Sequence, residues 1–414
     1  MSAVRIVVAS MVVAAAFTAV ALAQDNGRIY GRITTVDDDV FEGPIRWDKN
    51  EGSWVDVLDG NKDLPKSNYR KSDRKKYRDR EGSFEIFGIT IGKSYSSWNF
   101  PGSAQSGIRF GHIKTLEVID DDAVRLVLKS GQEVELEGGS TDIGEDIREI
   151  IIEDADEGEI ELVWDDIELV EFMTPARAVT STYGERLYGT LTTRRGDEFT
   201  GFICWDIDEL FGDDILDGSH KGRKRKIHFD KIARIERYSS NGATVYMKNG
   251  DELLLRESND VDDGNRGIIV SDVGFGQVRV NWDEFDQLEF KDIPRPAVYD
   301  DFDGGRPLYG TVETEDGETY TGLIRWDNDE DHTWEILDGN YRDIQFDIEF
   351  GLIKSIEKKS YRSSQVTVLD GRTFRLRGSN DVDEDNKGIF ITTDTEEDIE
   401  VEWEDFAKVE FSRK

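Results

Sequence analysis

Cysteine is nearly absent: Cys204 is the only one in 414 residues. That excludes a disulfide framework and a zinc site built on cysteine pairs. Histidine is almost as scarce. His112, His220, His228 and His332 show no H-x-x-x-H or H-E-x-x-H spacing, so the usual zinc hydrolase pattern is missing. No G-x-S-x-G elbow, P-loop or dinucleotide fingerprint occurs either. Positive charge is short: 52 Lys and Arg stand against 89 Asp and Glu, for a formal net charge of -37. A phosphate backbone would be repelled on average, which excludes a simple nucleic-acid binder. Beyond the N-terminus no run is apolar enough to span a bilayer as a helix.

What is present is an ordinary globular composition. Hydrophobic residues make up 37%, and 39 glycines join them, so the charge does not mark a disordered acidic tail. Residues 1–23 carry one basic residue, Arg5, before an unbroken apolar and small stretch ending Ala21-Leu22-Ala23. This is the pattern of a secretory signal peptide, and it predicts a periplasmic or secreted protein with no membrane span in the mature chain. A leader left uncleaved would instead be a membrane anchor.

Internal repeats dominate the rest. YGRITTVDDDVFEGPIRWD at 30–48 matches YGTLTTRRGDEFTGFICWD at 188–206 and YGTVETEDGETYTGLIRWD at 309–327, and a Leu-Asp-Gly follows each. SNDVDDGNRGIIV at 258–270 parallels SNDVDEDNKGIFI at 379–391. A shorter template of apolar, x, aromatic, x, x, apolar, x, x, apolar, Glu ends at Glu117, Glu171, Glu236, Glu289, Glu357 and Glu410. The intervals alternate between short and long, so the repeat is a pair of half-units present three times. The boundaries predicted are a β module at 24–173 with a basic insertion at 61–107, a second at 185–291 and a third at 306–414. Thr174–Gly184 and Asp292–Arg306 are the linkers, and four of the seven prolines lie in or beside them.

Each half-unit reads as β. In VTVLDGRTFRL, Val366 and Val368 alternate with polar residues, Asp370-Gly371 turns the chain, and Phe374 and Leu376 alternate again. The end of the template predicts one 3₁₀ turn before a last strand. Five strands with such a turn resemble an SH3-like or Sm-like small barrel. The resemblance is to a fold, and it implies an all-β chain of three tandem modules, each a pair of small barrels. Gly31, Gly189 and Gly310, inside strand patterns, mark a bulge or bend. Phe110, Trp164, Phe229, Trp282, Phe350 and Trp403 are expected in cores, and Trp47, Trp205 and Trp326 between the barrels of a pair.

Three features bear on chemistry. The acidic loops place Asp260, Asp262, Asp381, Asp383 and Asp385 at alternate positions, which suits calcium; the other reading is an Asx-turn loop that binds its own backbone. Asn386 replaces the turn glycine of an EF-hand-like loop, and Thr392 replaces its last Glu. The pairs Asp165-Asp166, Asp283-Glu284 and Glu404-Asp405 read as turn caps rather than acid-base machinery. Two basic clusters run against the acidic background: Arg74, Lys75 and Lys76 in the insertion, and Arg223, Lys224 and Arg225 after the second Leu-Asp-Gly. They make a patch for an anionic partner, or they neutralise the acidic body. The function expected is a non-catalytic binding or structural role at the cell envelope, with an anionic component or another envelope protein as partner. A calcium-stabilised envelope module and a glycan-acting enzyme with its cleft between modules are the alternatives.

Overall fold

The computed structural model describes residues 25–63, 85–86, 89–90, 103–138, 140–178 and 181–413. The leader at 1–23 and the cluster Arg74, Lys75 and Lys76 lie outside the described residues.

Alternating side chains give strands whose burial alternates with the same period: Tyr30–Thr35 and Ala123–Leu128 bury every second residue, as does Glu133–Glu137. The architecture is all-β, with antiparallel sheets and short 3₁₀ turns. In the first module the strands are Tyr30–Thr35 (β1), Val40–Trp47 (β2), Val57–Asp63 (β3), Ser103–Arg109 (β4), Ile113–Asp120 (β5), Ala123–Leu128 (β6), Glu133–Glu137 (β7), Ile150–Asp154 (β8), Gly158–Leu162 (β9) and Ile167–Phe172 (β10). The second repeats them as Tyr188–Thr193 (β11), Glu198–Cys204 (β12), Ile215–His220 (β13), Arg223–His228 (β14), Ile232–Ser239 (β15), Gly242–Met247 (β16), Glu252–Leu255 (β17), Ile268–Asp272 (β18), Gly276–Val280 (β19) and Phe285–Phe290 (β20). The third has Tyr309–Thr314 (β21), Thr319–Arg325 (β22), Ile336–Tyr341 (β23), Ile344–Glu349 (β24), Ile353–Ser360 (β25), Ser363–Val368 (β26), Thr373–Leu376 (β27), Ile389–Thr393 (β28), Asp398–Val401 (β29) and Phe406–Phe411 (β30).

One strand order recurs: β9-β8-β2-β1-β10-β5-β6-β7, then β19-β18-β12-β11-β20-β15-β16-β17, then β29-β28-β22-β21-β30-β25-β26-β27. Pairing therefore crosses the half-unit boundary. β2 of the first half lies beside β8 of the second, and β3 meets β7 of the second half where Asn61 stands opposite Glu137. The equivalent bridges are Ser219 to Arg256 and Asn340 to Arg377. The cause is local. Trp47 pairs with Glu51 across a turn holding Asp48 and Lys49 at φ 42° and 70°, which reverses the chain at the end of β2. Each module is thus two five-stranded ladders, β10-β1-β2-β8-β9 and β5-β6-β7-β3-β4, joined where Val170 faces Leu116. Strand pairing also crosses a module boundary: β24 of the third pairs with β19 of the second, Phe346 opposite Val278.

Two local readings need correction. The hairpin turns are not two-residue turns. Leu128 N–H donates to Gln132, and Gly131 takes φ 89°, a three-residue loop with glycine in the left-handed region; Gly250 and Gly371 repeat it at 93° and 94°. The bulge of the first strand falls at Thr34 and Thr35, not at Gly31. Gly31 instead stands directly opposite Gly43, as Gly189 does Gly201 and Gly310 does Gly322. A Cβ on either member would collide with a backbone carbonyl of the next strand, such as that of Glu171 or Glu153.

The template does end in single turns at Phe110–His112, Trp164–Asp166, Phe229–Lys231 and Phe350–Leu352. Its six aromatics are all buried. Trp47, Trp205 and Trp326, fully buried, touch one aromatic from each ladder: Phe110 and Trp164 at 6.1 and 6.5 Å, Phe229 and Trp282 at 6.4 and 6.3 Å, and Phe350 and Trp403 at 6.5 and 6.3 Å. Burying an aromatic of this size contributes about 2–3 kcal/mol.

The modules also meet one another in every pairing. Val57 packs with Leu210 and Phe211 between the first and second. The second and third share the β19–β24 ladder and one apolar core. Trp334 of the third, with Tyr299 and Phe302 of the linker, joins the core of the first.

Candidate functional site

The residue after each strand-end tryptophan organises the chain around it. Asp48, Asp206 and Asp327 are fully buried and sit at φ 42°, 50° and 45°. A non-glycine residue there is strained, at a cost of about 1–3 kcal/mol. Each carboxylate offsets that cost by accepting the backbone N–H of Arg148, Arg266 or Lys387 and pairing with the same residue's cationic side chain. The tryptophan indoles donate to the carbonyls of Asp142, Asp260 and Asp381 at 2.9, 2.9 and 3.0 Å. The carboxylates of these three accept the N–H of the Leu-Asp-Gly aspartates, Asp59, Asp217 and Asp338, at 2.8, 2.6 and 2.8 Å. The acidic loop is thereby fastened to both ladders.

Three residues beyond each of these turn aspartates stands a glutamate: Glu51, Glu209 or Glu330. In all three the Oε2 atom is buried without a hydrogen-bond partner among the described residues. Burial pushes the Glu51 carboxyl well up, with the nearby Asp142 and Asp48 charges adding to it. Burial and Asp260 push Glu209 up to about 10, and burial and Asp48 push Asp142 to about 7. In the first module carboxylate oxygens of Asp48, Glu51 and Asp142 lie within 4.8 Å of one another. Glu51, Asp59 and Asp142 line a cavity of about 40 Å³ between the first two modules, with Cys204 and Gln277 on its far wall. Sequence reading missed the glutamates; the signal was Trp-Asp-x-x-Glu at 47–51, 205–209 and 326–330, which also occurs once within the template at 164–168.

The loop residues singled out from sequence divide. Asp260 and Asp381 are buried at the tryptophan turn. Asp262 accepts the N–H of Gly264, and Asp383 accepts those of Asp385 and Gly378, so these side chains hold their own loop. Asp385 is exposed. Asp166 caps its 3₁₀ turn by accepting the N–H of Val163 at 3.0 Å.

Cations from neighbouring modules neutralise a second set of acids. Arg186 pairs with Asp56 and Arg46 with Asp214, each at 2.9 Å, and Lys62 pairs with Glu335. A cleft of about 640 Å³ opens where the three modules and the second linker meet. The acids lining it all carry a partner: Asp272 with Arg372, Asp301 with Arg295, Asp303 with Arg306, and Glu349 with Arg109.

The second basic cluster lies on β14. Arg223, Lys224, Arg225 and Lys226 are all exposed, and none forms an ion pair among the described residues. Among the described residues β14 pairs with β13 alone, whereas its counterpart β24 is covered by β19. No protein family, curated protein or solved structure matches the chain.

Proposed function

We propose that the protein is a non-catalytic binding or structural component of the cell envelope, periplasmic or secreted, which engages an anionic partner through β14. In this reading residues 1–23 are the export signal. Each module is a pair of SH3-like small barrels, one ladder and one short turn before the last strand per barrel, interlocked by exchange of strands between half-units.

The observation that carries the binding reading is the exposed run Arg223–Lys226, free of ion pairs among the described residues. Charges kept to neutralise an acidic body would be matched by its carboxylates. A net charge of -37 opposes a polyanion at long range, but screening over about 8 Å at physiological ionic strength leaves the local patch in control. The non-catalytic reading draws support from the cleft, whose acids are ion-paired; a glycosidase needs a carboxyl held ready to give a proton.

The test is retention on immobilised lipopolysaccharide and on heparin. The native protein is retained, and a variant with Arg223, Lys224, Arg225 and Lys226 all changed to serine is not. Equal retention of the two proteins removes β14 from the account.

A further inference from the structure

We propose that the cavity beside Trp47 is a calcium site, with Glu51, Asp59 and Asp142 as its carboxylate ligands and Asp48 behind them.

The argument begins with atoms that lack partners. Glu51 is 4% exposed, and among the described residues its Oε2 makes no hydrogen bond and Oδ1 of Asp59 is likewise buried without one. Oxygens left so cost free energy unless something positive meets them. Both side chains line the same cavity as Asp142, and one at about 40 Å³ holds an ion or a water or two. Oxygens of Glu51 and Asp142 already lie within 4.8 Å of each other, close enough for one ion to bridge them, with the Arg148-paired Asp48 at the same range behind.

Comparison within the molecule sharpens this. In the third module the equivalent ground is reached by a built-in cation: the Lys62 ammonium contacts Glu335 and the carbonyl of Asp329, and its charge acts on Glu330. In the first module Arg148 pairs with Asp48 and Arg186 with Asp56. Glu51, Asp59 and Asp142 form no ion pair among the described residues. A lysine charge thus acts on the glutamate of the third copy, whereas no cation pairs with the cavity carboxylates of the first among the described residues.

The donors select the ion. Carboxylates, in a cavity also lined by Asn50, Ser140, Thr141 and Gln277, are hard ligands. Calcium accepts six to eight such oxygens at irregular geometry, whereas magnesium demands an octahedron and zinc prefers histidine or thiolate. Cys204 also borders the cavity, but burial pushes its thiol well up and keeps it a poor ligand.

The experiment uses the full chain stripped with chelator, then loaded with terbium as a luminescent substitute for calcium. Trp47, whose indole bonds to Asp142, is the antenna. The expected result is sensitised terbium emission that saturates, is displaced by calcium, and falls at least tenfold in Glu51→Gln. Asp59→Asn reports the same loss should Glu51→Gln fold poorly, and Glu330→Gln, in the copy where the Lys62 charge acts, leaves emission unchanged. Absence of calcium-displaceable emission from the native chain overturns the proposal, as does full emission from folded Glu51→Gln and Asp59→Asn.

Discussion

The guanidinium of Arg186, in the second module, lies 2.9 Å from the carboxylate of Asp56 in the first, with the two side chains 4% and 6% exposed. The same carboxylate accepts the N–H groups of Gly52 and Ser53, so it caps its own turn while anchoring the neighbouring module. The arginine also donates to the carbonyls of Ile203 and Leu210.

Removing one partner of so buried a pair leaves the other uncompensated, at about 3–5 kcal/mol. Asp56→Asn keeps the size but loses the charge, and is expected to lower the urea unfolding free energy by about that amount. The double variant Asp56→Asn with Arg186→Met recovers part of the loss. A double-mutant cycle with no coupling would show that the modules are not joined here.

The glycine pairs make a second prediction. Gly322 stands opposite Gly310, and a side chain on it would enter the space of the Thr392 carbonyl in β28. Gly322→Ala forces β22 and β28 apart, an overpacking cost of about 1–3 kcal/mol. Gly317, at the hairpin tip with open space around it, bears on φ alone, so Gly317→Asn is expected to cost under about 1 kcal/mol. Thermal melts of the two variants check the order.

Stability should fall as pH rises through the neutral range. Burial, with Asp338 next, pushes Asp347 up to about 8; burial, with Asp48 next, pushes Asp142 to about 7. Such groups stay protonated in the folded chain where the unfolded chain has lost the proton. Their contribution is full below about pH 4 and is lost as pH climbs to about 8, each tilting stability by at most about 1.4 kcal/mol per pH unit. Asp208, held low against burial by Arg266 and Arg148, acts in the opposite sense only below the ordinary aspartate range. Urea midpoints in chelator at pH 5 and pH 8 are expected to favour pH 5; a higher midpoint at pH 8 contradicts the buried-acid account.

The repeat was legible because it is written in side chains: the template aromatics and Trp-Asp pairs recur in register, and each lands in the core as the alternation requires. The strand partners were not. β2 and β8 share no sequence mark that says they pair, since ladder bonds are made by backbone groups common to every residue. What sends β3 into the other ladder is the left-handed turn at Asp48 and Lys49, and neither residue type announces a positive φ as glycine would. The acidic loops drew attention through density of charge, yet Asp262 and Asp383 bond to their own backbone. The unpartnered oxygen belongs to Glu51, whose significance appears only when Asp142, far along the chain, arrives beside it.

The anionic-partner reading is tested most directly by measuring affinity for lipopolysaccharide across a series of salt concentrations, for the native chain and for the variant with Arg223, Lys224, Arg225 and Lys226 replaced by serine. The account predicts a native affinity that drops steeply as salt rises and a variant that binds weakly with a shallow dependence. Native binding that ignores salt, or a variant that binds as the native chain does, would contradict it.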